Sequence, residues 1–224
     1  MHRSLFVPLL ATVLGACSRR PIHDGQQVGP LIQIKDVFTS CFLLEFEPGR
    51  FALFDACNQG SGASITRTME RLGHDDSDIR WVFLTHGHTD HLGGINALDS
   101  ARVYAPWAEK DAIEAEGVDV KRTVVDGSTV SLGRYSIRAF SVPGHTPGST
   151  VYEVGRVLVM GDVVIAQRDG SLEPPPDRTS DDPGQNLRSV RALADQLRGG
   201  DVEVDWIAPA HSGPVHGLPA LLDF

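Results

Sequence analysis

A layered α/β domain is predicted for this 224-residue chain by three features of its sequence. Short apolar, β-branched runs bounded by turn residues recur from Leu31 to Ala208, three helical patterns lie between them, and strand pairs stand near both ends. With 41% hydrophobic and 22% charged residues, the chain has the material for one substantial core. Its 23 Gly and 14 Pro fall well short of the roughly 25–30% that marks low-complexity sequence. A formal net charge of −9 argues against a protein that grips phosphate backbones, so nucleic acid is not an expected partner.

Apolar runs predict strands over residues 31–38, 41–46, 51–55, 80–85, 102–105, 123–125, 129–132, 135–142, 150–154, 156–160 and 204–208. The runs 41–46 and 51–55 flank Glu47-Pro48-Gly49-Arg50, whose turn chemistry predicts a hairpin. A helix over 62–72 places Ile65, Met69 and Leu72 on one face. A second, over 106–116, starts on Pro106, a favourable first position. The third, over 185–198, carries Leu187, Val190, Leu193, Ala194 and Leu197 at helical spacing and stops at Gly199-Gly200. No short repeat is present.

The N-terminus reads as an address. Arg3 precedes an apolar run over 5–14, too short for the ~20 residues that span a bilayer but suited to a secretory signal. Leu14-Gly15-Ala16-Cys17 resembles the lipobox of bacterial lipoproteins, which implies cleavage after residue 16 and a lipid on Cys17. Ser18 in place of Asp favours the outer membrane. The organisation expected is a signal peptide over 1–16, a solvated tether over 17–28 and a catalytic domain over 29–224, exported to the bacterial cell envelope. Export leaves Cys41 and Cys57 as a pair in an oxidising compartment. The hairpin brings them within bridging range; a disulfide and two separate core thiols are both open.

The chemistry is carried by histidine. Three of nine His fall in Thr85-His86-Gly87-His88-Thr89-Asp90-His91, directly behind a buried strand. In extended backbone, residues two apart point the same way about 6–7 Å apart, so His86 and His88 can aim at one cation. Asp90 and His91 then turn toward a second position, and Gly93-Gly94 lets the backbone bend.

His86-x-His88-x-Asp90-His91 followed by Leu92-Gly93-Gly94 resembles the signature of the metallo-β-lactamase-fold superfamily. The likeness continues in order through Asp55, the loop Pro143-Gly144-His145-Thr146-Pro147-Gly148-Ser149, Met160-Gly161-Asp162 and Pro209-Ala210-His211-Ser212-Gly213. It implies a single-domain, four-layer αββα sandwich. It also implies that His86, His88 and His145 hold one metal, Asp90, His91 and His211 a second, and Asp162 bridges both. Nitrogen and hard oxygen donors without thiolate suit two Zn²⁺ per chain and tolerate Fe or Mn. Such a pair generates hydroxide near neutral pH, and Asp90 is the catalytic candidate for proton transfer to the leaving group. Asp55 reads either as an orienting partner of a ligand or as a helix cap. His216 stands close enough in sequence to compete with His211, with surface histidine as the alternative; His2, His23 and His74 read as bystanders. The polar, proline-rich segment 171–184 is a solvated loop or a border of the site.

The function implied is a dinuclear metal hydrolase cleaving an ester, thioester, lactone or amide of a small molecule. A carboxylate at Asp162 departs from typical β-lactamases and looks more like the glyoxalase II, lactonase and thioesterase branches. The short stretch after His211 leaves no room for glyoxalase II's C-terminal helical domain, and the acidic balance disfavours the nuclease branches. The alternatives are a mononuclear iron persulfide dioxygenase and a non-catalytic metal-binding lipoprotein. No G-x-S-x-G elbow, H-E-x-x-H helix, Walker loop or G-x-G-x-x-G fingerprint is present.

Overall fold

A computed structural model describes residues 18–200 and 202–224. The expected signal peptide and the expected lipid-bearing Cys17 lie outside the described residues. Seven strands form the first sheet in chain order: β1 (Gln27–Val28), β2 (Leu31–Asp36), β3 (Thr39–Glu47), β4 (Arg50–Phe54), β5 (Ile79–Phe83), β6 (Arg102–Pro106) and β7 (Val120–Val124). β1 to β4 pair antiparallel and β4 to β7 parallel. The second sheet uses β8 (Thr129–Leu132), β9 (Tyr135–Ser141), β10 (Thr150–Val154), β11 (Val157–Gly161), β14 (Trp206–Pro209) and β15 (Val215–His216), in the order β15-β14-β11-β10-β9-β8. A small side ribbon joins β12 (Ile165–Ala166) to β13 (Leu172–Glu173).

Three apolar clusters account for the layering. Ile65 and Met69 of helix α1 (Ala63–Leu72), with Ile113 of α3 (Lys110–Ala115), pack on Leu43, Leu53 and Val82 of the first sheet. Phe42, Phe54 and Phe83 meet Ala139, Tyr152 and Val159 between the two sheets. Val190, Leu193 and Leu197 of α4 (Pro183–Arg198) and Leu221 of α5 (Pro219–Leu222) cover Phe140, Leu158 and Ile207 on the outer face of the second. Helix, sheet, sheet, helix is the four-layer αββα sandwich, and β11, buried along its whole length, has no polar alternation because both its faces are covered.

Differences from the expected elements have local causes. The helix expected over 106–116 begins later, since Pro106 closes β6, a 3₁₀ turn follows over Trp107–Glu109 and only Lys110–Ala115 is α-helical. β7 starts three residues before the apolar run because Lys121 and Arg122 are exposed on a strand whose ends are buried. Residues 18–28, expected as a solvated tether, are mostly exposed but are docked along the domain. Val28 is fully buried, the Arg19 backbone bridges Gln167, and the Arg20 amide donates to the Ala166 carbonyl at 2.9 Å. These backbone groups find partners on the domain and are not left to water.

Cys41 and Cys57 form a disulfide with a Cα–Cα distance of 5.1 Å. It staples β3 to the bend after β4, where Asp55 and Cys57 both hold positive φ.

Candidate metal centre

β4 and β5 are parallel neighbours in the first sheet and β11 and β14 in the second, and the segments leaving the C-terminal ends of β4, β5, β9, β11 and β14 carry Asp55, His86–His91, His145, Asp162 and His211. This is where α/β sheets keep their sites. α2 (Thr89–Leu92) turns Asp90 and His91 inward. Close backbone approach is needed twice. A Cβ on Gly161, at φ 53°, would stand 2.6 Å from Thr85 Oγ1, and one on Gly144 would stand 2.1 Å from the Asn186 amide. Glycine at those positions lets Asp162 and His145 come in against the His86 strand end and the start of α4.

All seven side chains anticipated from the motifs converge. His86, His88, His145 and Asp162 offer ligand atoms within 4.8 Å of one another, and so do Asp90, His91, His211 and Asp162. His88 Nδ1 and His145 Nε2 face each other at 3.0 Å. Asp162 joins the groups: Oδ2 lies 3.5 Å from His145 Nε2 and 2.9 Å from His211 Nε2, and Oδ1 lies 3.1 Å from His91 Nε2. His211 Nε2 is also 3.2 Å from Asp90 Oδ2.

The other ring nitrogens are held from outside. Thr85 Oγ1 donates to Asp55 Oδ2 at 2.9 Å, so its contact of 3.0 Å with His86 Nδ1 leaves the imidazole as donor and turns the His86 Nε2 lone pair inward. Asp55 Oδ2 receives His91 Nδ1 at 2.8 Å, and Phe38 O receives His211 Nδ1 at 3.1 Å. Asp55 is thus an orienting carboxylate. It is not a helix cap, because α1 starts on Gly62 with no side-chain cap.

Buried and aimed inward, His86 Nε2, His91 Nε2 and Asp162 Oδ1 have no aligned hydrogen-bond partner, although His91 and Asp162 stand close. Orphaned polar atoms at such depth are costly unless something else satisfies them. Five imidazoles and two carboxylates with inward lone pairs fit a pair of divalent cations. The protonation pattern is split. Burial, together with the His91 charge, holds His86 well below the ordinary imidazole value. Burial and neighbouring imidazoles lower His145 to about 4, outweighing Asp162. Burial also opposes charge on His91, but Asp162 and Asp55 outweigh it and raise the group. At His211, burial is overcome by hydrogen bonds to Asp162 and Asp90, which raise it to about 10. Asp90 and Asp162 are lowered in turn, their histidine partners outweighing desolvation.

His216 is no competitor for His211: it is exposed and its ring packs on Trp206 with 3.4 Å between centroids. His74 packs edge-on to Phe51 and pairs with Asp78, and His23 is exposed. The 171–184 segment does border the site, since Ser180 Oγ lies 3.3 Å from His145 Nδ1 and the Asp181 amide donates to the His145 carbonyl.

Glu109 is the functional residue that the sequence reading misses. Buried, it accepts the Gly87 amide on Oε2 at 3.0 Å and the Gly148 amide on Oε1 at 2.6 Å. One carboxylate thereby clips the His86–His88 loop to the His145 loop. Its only signal was an acidic residue in what read as an ordinary helix.

The profile of the Metallo-beta-lactamase superfamily matches residues 34–211, and the chain belongs to that superfamily. Among curated proteins, a probable metallo-hydrolase, YybB, of Bacillus subtilis is 29% identical over 134 residues, covering 52% of this chain and 59% of that protein. A hydroxyacylglutathione hydrolase of Anaeromyxobacter dehalogenans is 32% identical over 134 residues, covering 58% and 49%. The chain spans about half the length of the curated relatives it matches. Among solved structures, the metallo-β-lactamase MIM-1 of Novosphingobium pentaromativorans superposes with a TM-score of 0.68 over 94% of this chain and 89% of that one, at 17% identity, a likeness of fold.

Proposed function

We propose that the chain is a dinuclear metal hydrolase of an ester, thioester, lactone or amide. The observation that carries this reading is the pair of ligand groups sharing Asp162, with three of their buried polar atoms unpartnered. His86, His88 and His145 would hold one cation and Asp90, His91 and His211 the other, with Zn²⁺ the metal best suited and Fe or Mn tolerated. Bound there, the two cations would make water acidic enough to ionise near neutral pH and would polarise a carbonyl. The chain's own residues do the rest. Asp55, Thr85 and the Phe38 carbonyl fix the histidine tautomers. Asp90, partly exposed and 3.2 Å from His211 Nε2, is the candidate for proton transfer to the leaving group. The names of the curated relatives, hydrolases both, agree with this activity.

The lipobox-like Leu14-Gly15-Ala16-Cys17 supports export and a lipid anchor in the cell envelope. Among the described residues no helix is long and apolar enough to cross a membrane. The test is metal analysis of purified protein alongside turnover of an ester, thioester, lactone and β-lactam panel. Two cations per chain, with turnover abolished by a chelator and restored by Zn²⁺, is the expected result. One iron per chain with oxygen uptake would instead identify a dioxygenase.

A further inference from the structure

Beside the Asp162 and His211 half of the centre opens a cleft of about 200 Å³, walled by Arg19, Phe38, Ile165, Pro175 and Arg178. Its two arginines come from segments far apart in the chain. Arg19 belongs to the N-terminal segment, whose backbone is pinned by the Gln167 bridge and by the bond from the Gly213 amide to the Arg20 carbonyl at 2.9 Å. Arg178 sits in the 3₁₀ turn Asp177–Thr179, two residues before the Ser180 hydroxyl that faces His145.

Among the described residues neither guanidinium has an ion pair or a hydrogen bond, although Glu173, Asp177, Asp181 and Asp182 lie in the same loop. The carboxylate lining the cleft is Asp162, which faces inward, 3.1 Å from His91 Nε2 and 2.9 Å from His211 Nε2. Asp90 and Asp162 would together offset only half the charge of two divalent cations. Two unpaired arginines beside such a centre add like charge to like charge in a chain whose net charge is −9. That arrangement is favourable once an anion enters, since the planar guanidinium fork matches a carboxylate or phosphate edge.

We propose that Arg19 and Arg178 form an anion-binding pair at the mouth of the centre, selecting acyl substrates that carry a negative group beside the scissile bond. The apolar wall of Phe38, Ile165 and Pro175 takes the uncharged part of such a molecule. This inference rests on the hydrolase reading for its substrate but not for its anion site. It also makes the N-terminal segment a wall of the active site.

The test uses metal-loaded protein and matched thioesters of one acyl group: S-acyl-3-mercaptopropionate, its methyl ester and the phosphonate counterpart. The expected result is a kcat/KM for the charged members at least about tenfold above that of the methyl ester, expressed in KM and weakened by salt. Arg19→Gln and Arg178→Gln should each erode that ratio severalfold, and the double variant should bring it near one. The phosphonate arm tells whether the site prefers carboxylate or phosphate-like anions. Equal turnover of charged and neutral members, or a preference that survives the double variant, would overturn the anion site. If no member turns over with two cations bound, the thioester class is excluded, and the hydrolase reading fails only when the whole ester, lactone and β-lactam panel is also inert. The anion site is then read by calorimetry with the uncleavable thioether acid, where binding lost in the double variant sustains it and absence of binding refutes it.

Discussion

Two acidic residues do unlike work at the centre. Asp162 is shared by both ligand groups, so Asp162→Ala removes a donor from each, and His88→Ala removes one from a single group. The first variant is expected to lose bound metal from both positions, the second chiefly from one, with turnover lost in each; elemental analysis per chain reads the difference. An Asp162→Ala protein that keeps two cations and full activity would show that this carboxylate does not bridge. Glu109 touches no ligand atom but holds the backbone of two ligand loops. Truncation to Ala strands two amide donors, at about 1–3 kcal/mol for each left unsatisfied. Outer partners of metal sites commonly cost about 10–100-fold in metal affinity when lost. Glu109→Ala should therefore weaken the His86, His88 and His145 position by about that factor in a chelator competition, and Glu109→Gln, which keeps one acceptor oxygen, should recover part of it. Identical affinities in all three proteins would mean that the clip is dispensable.

Among the elements, the disulfide and the bend after β4 belong together. Phe42 pairs with Phe54, so Cys41 stands opposite Asp55, and Cys57 reaches back to it around a bend of positive φ. Closing this short loop contributes about 2–4 kcal/mol, so replacing both cysteines by Ser should lower the melting temperature by roughly 5–12 °C in a chain of this size. Calorimetry checks it, and an unchanged melting temperature would show that the fold holds the bend unaided. This bend also shows what the sequence made legible. Strand ends, histidines and the glycines beside them were readable because local chemistry dictates them: ligand types at fixed spacing, apolar runs that must be covered, turn residues between them. The Glu109 clip and the docking of residues 18–28 were not, because both rest on contacts between distant segments. Glu109 lies 39 positions from Gly148, and nothing near Arg20 in the chain announces Ala166 or Gly213 as its partner. The two-residue strands β1, β12, β13 and β15 escaped for the same reason, being too short to carry a period of their own.

At the scale of the whole molecule, both sheets present strand ends along one edge, and the N-terminal segment arrives at that same edge. Arg168 donates its amide to the Ser18 carbonyl, and the Gly213 amide donates to Arg20 two residues beyond His211. A Cβ on Gly213 would stand 2.3 Å from the Pro21 carbonyl oxygen, so only glycine admits the segment there. The chain is therefore docked on the domain from residue 18 onward, and Phe38, 55% exposed and stacked on His211, lines the same cleft as Arg19. Anchoring and wall-building separate under mutation. Cys17→Ser should move the protein from the membrane fraction to the soluble one while metal content and thermal stability stay as in the parent, because residues 18–28 remain docked. Deleting residues 1–22 should also release it, but should strip the His211 loop of its Arg20 partner and so weaken the Asp90, His91 and His211 position in chelator competition. Membrane attachment that persists in Cys17→Ser would refute the anchor. Unaltered metal affinity in the deletion variant would leave the segment a bystander to the centre.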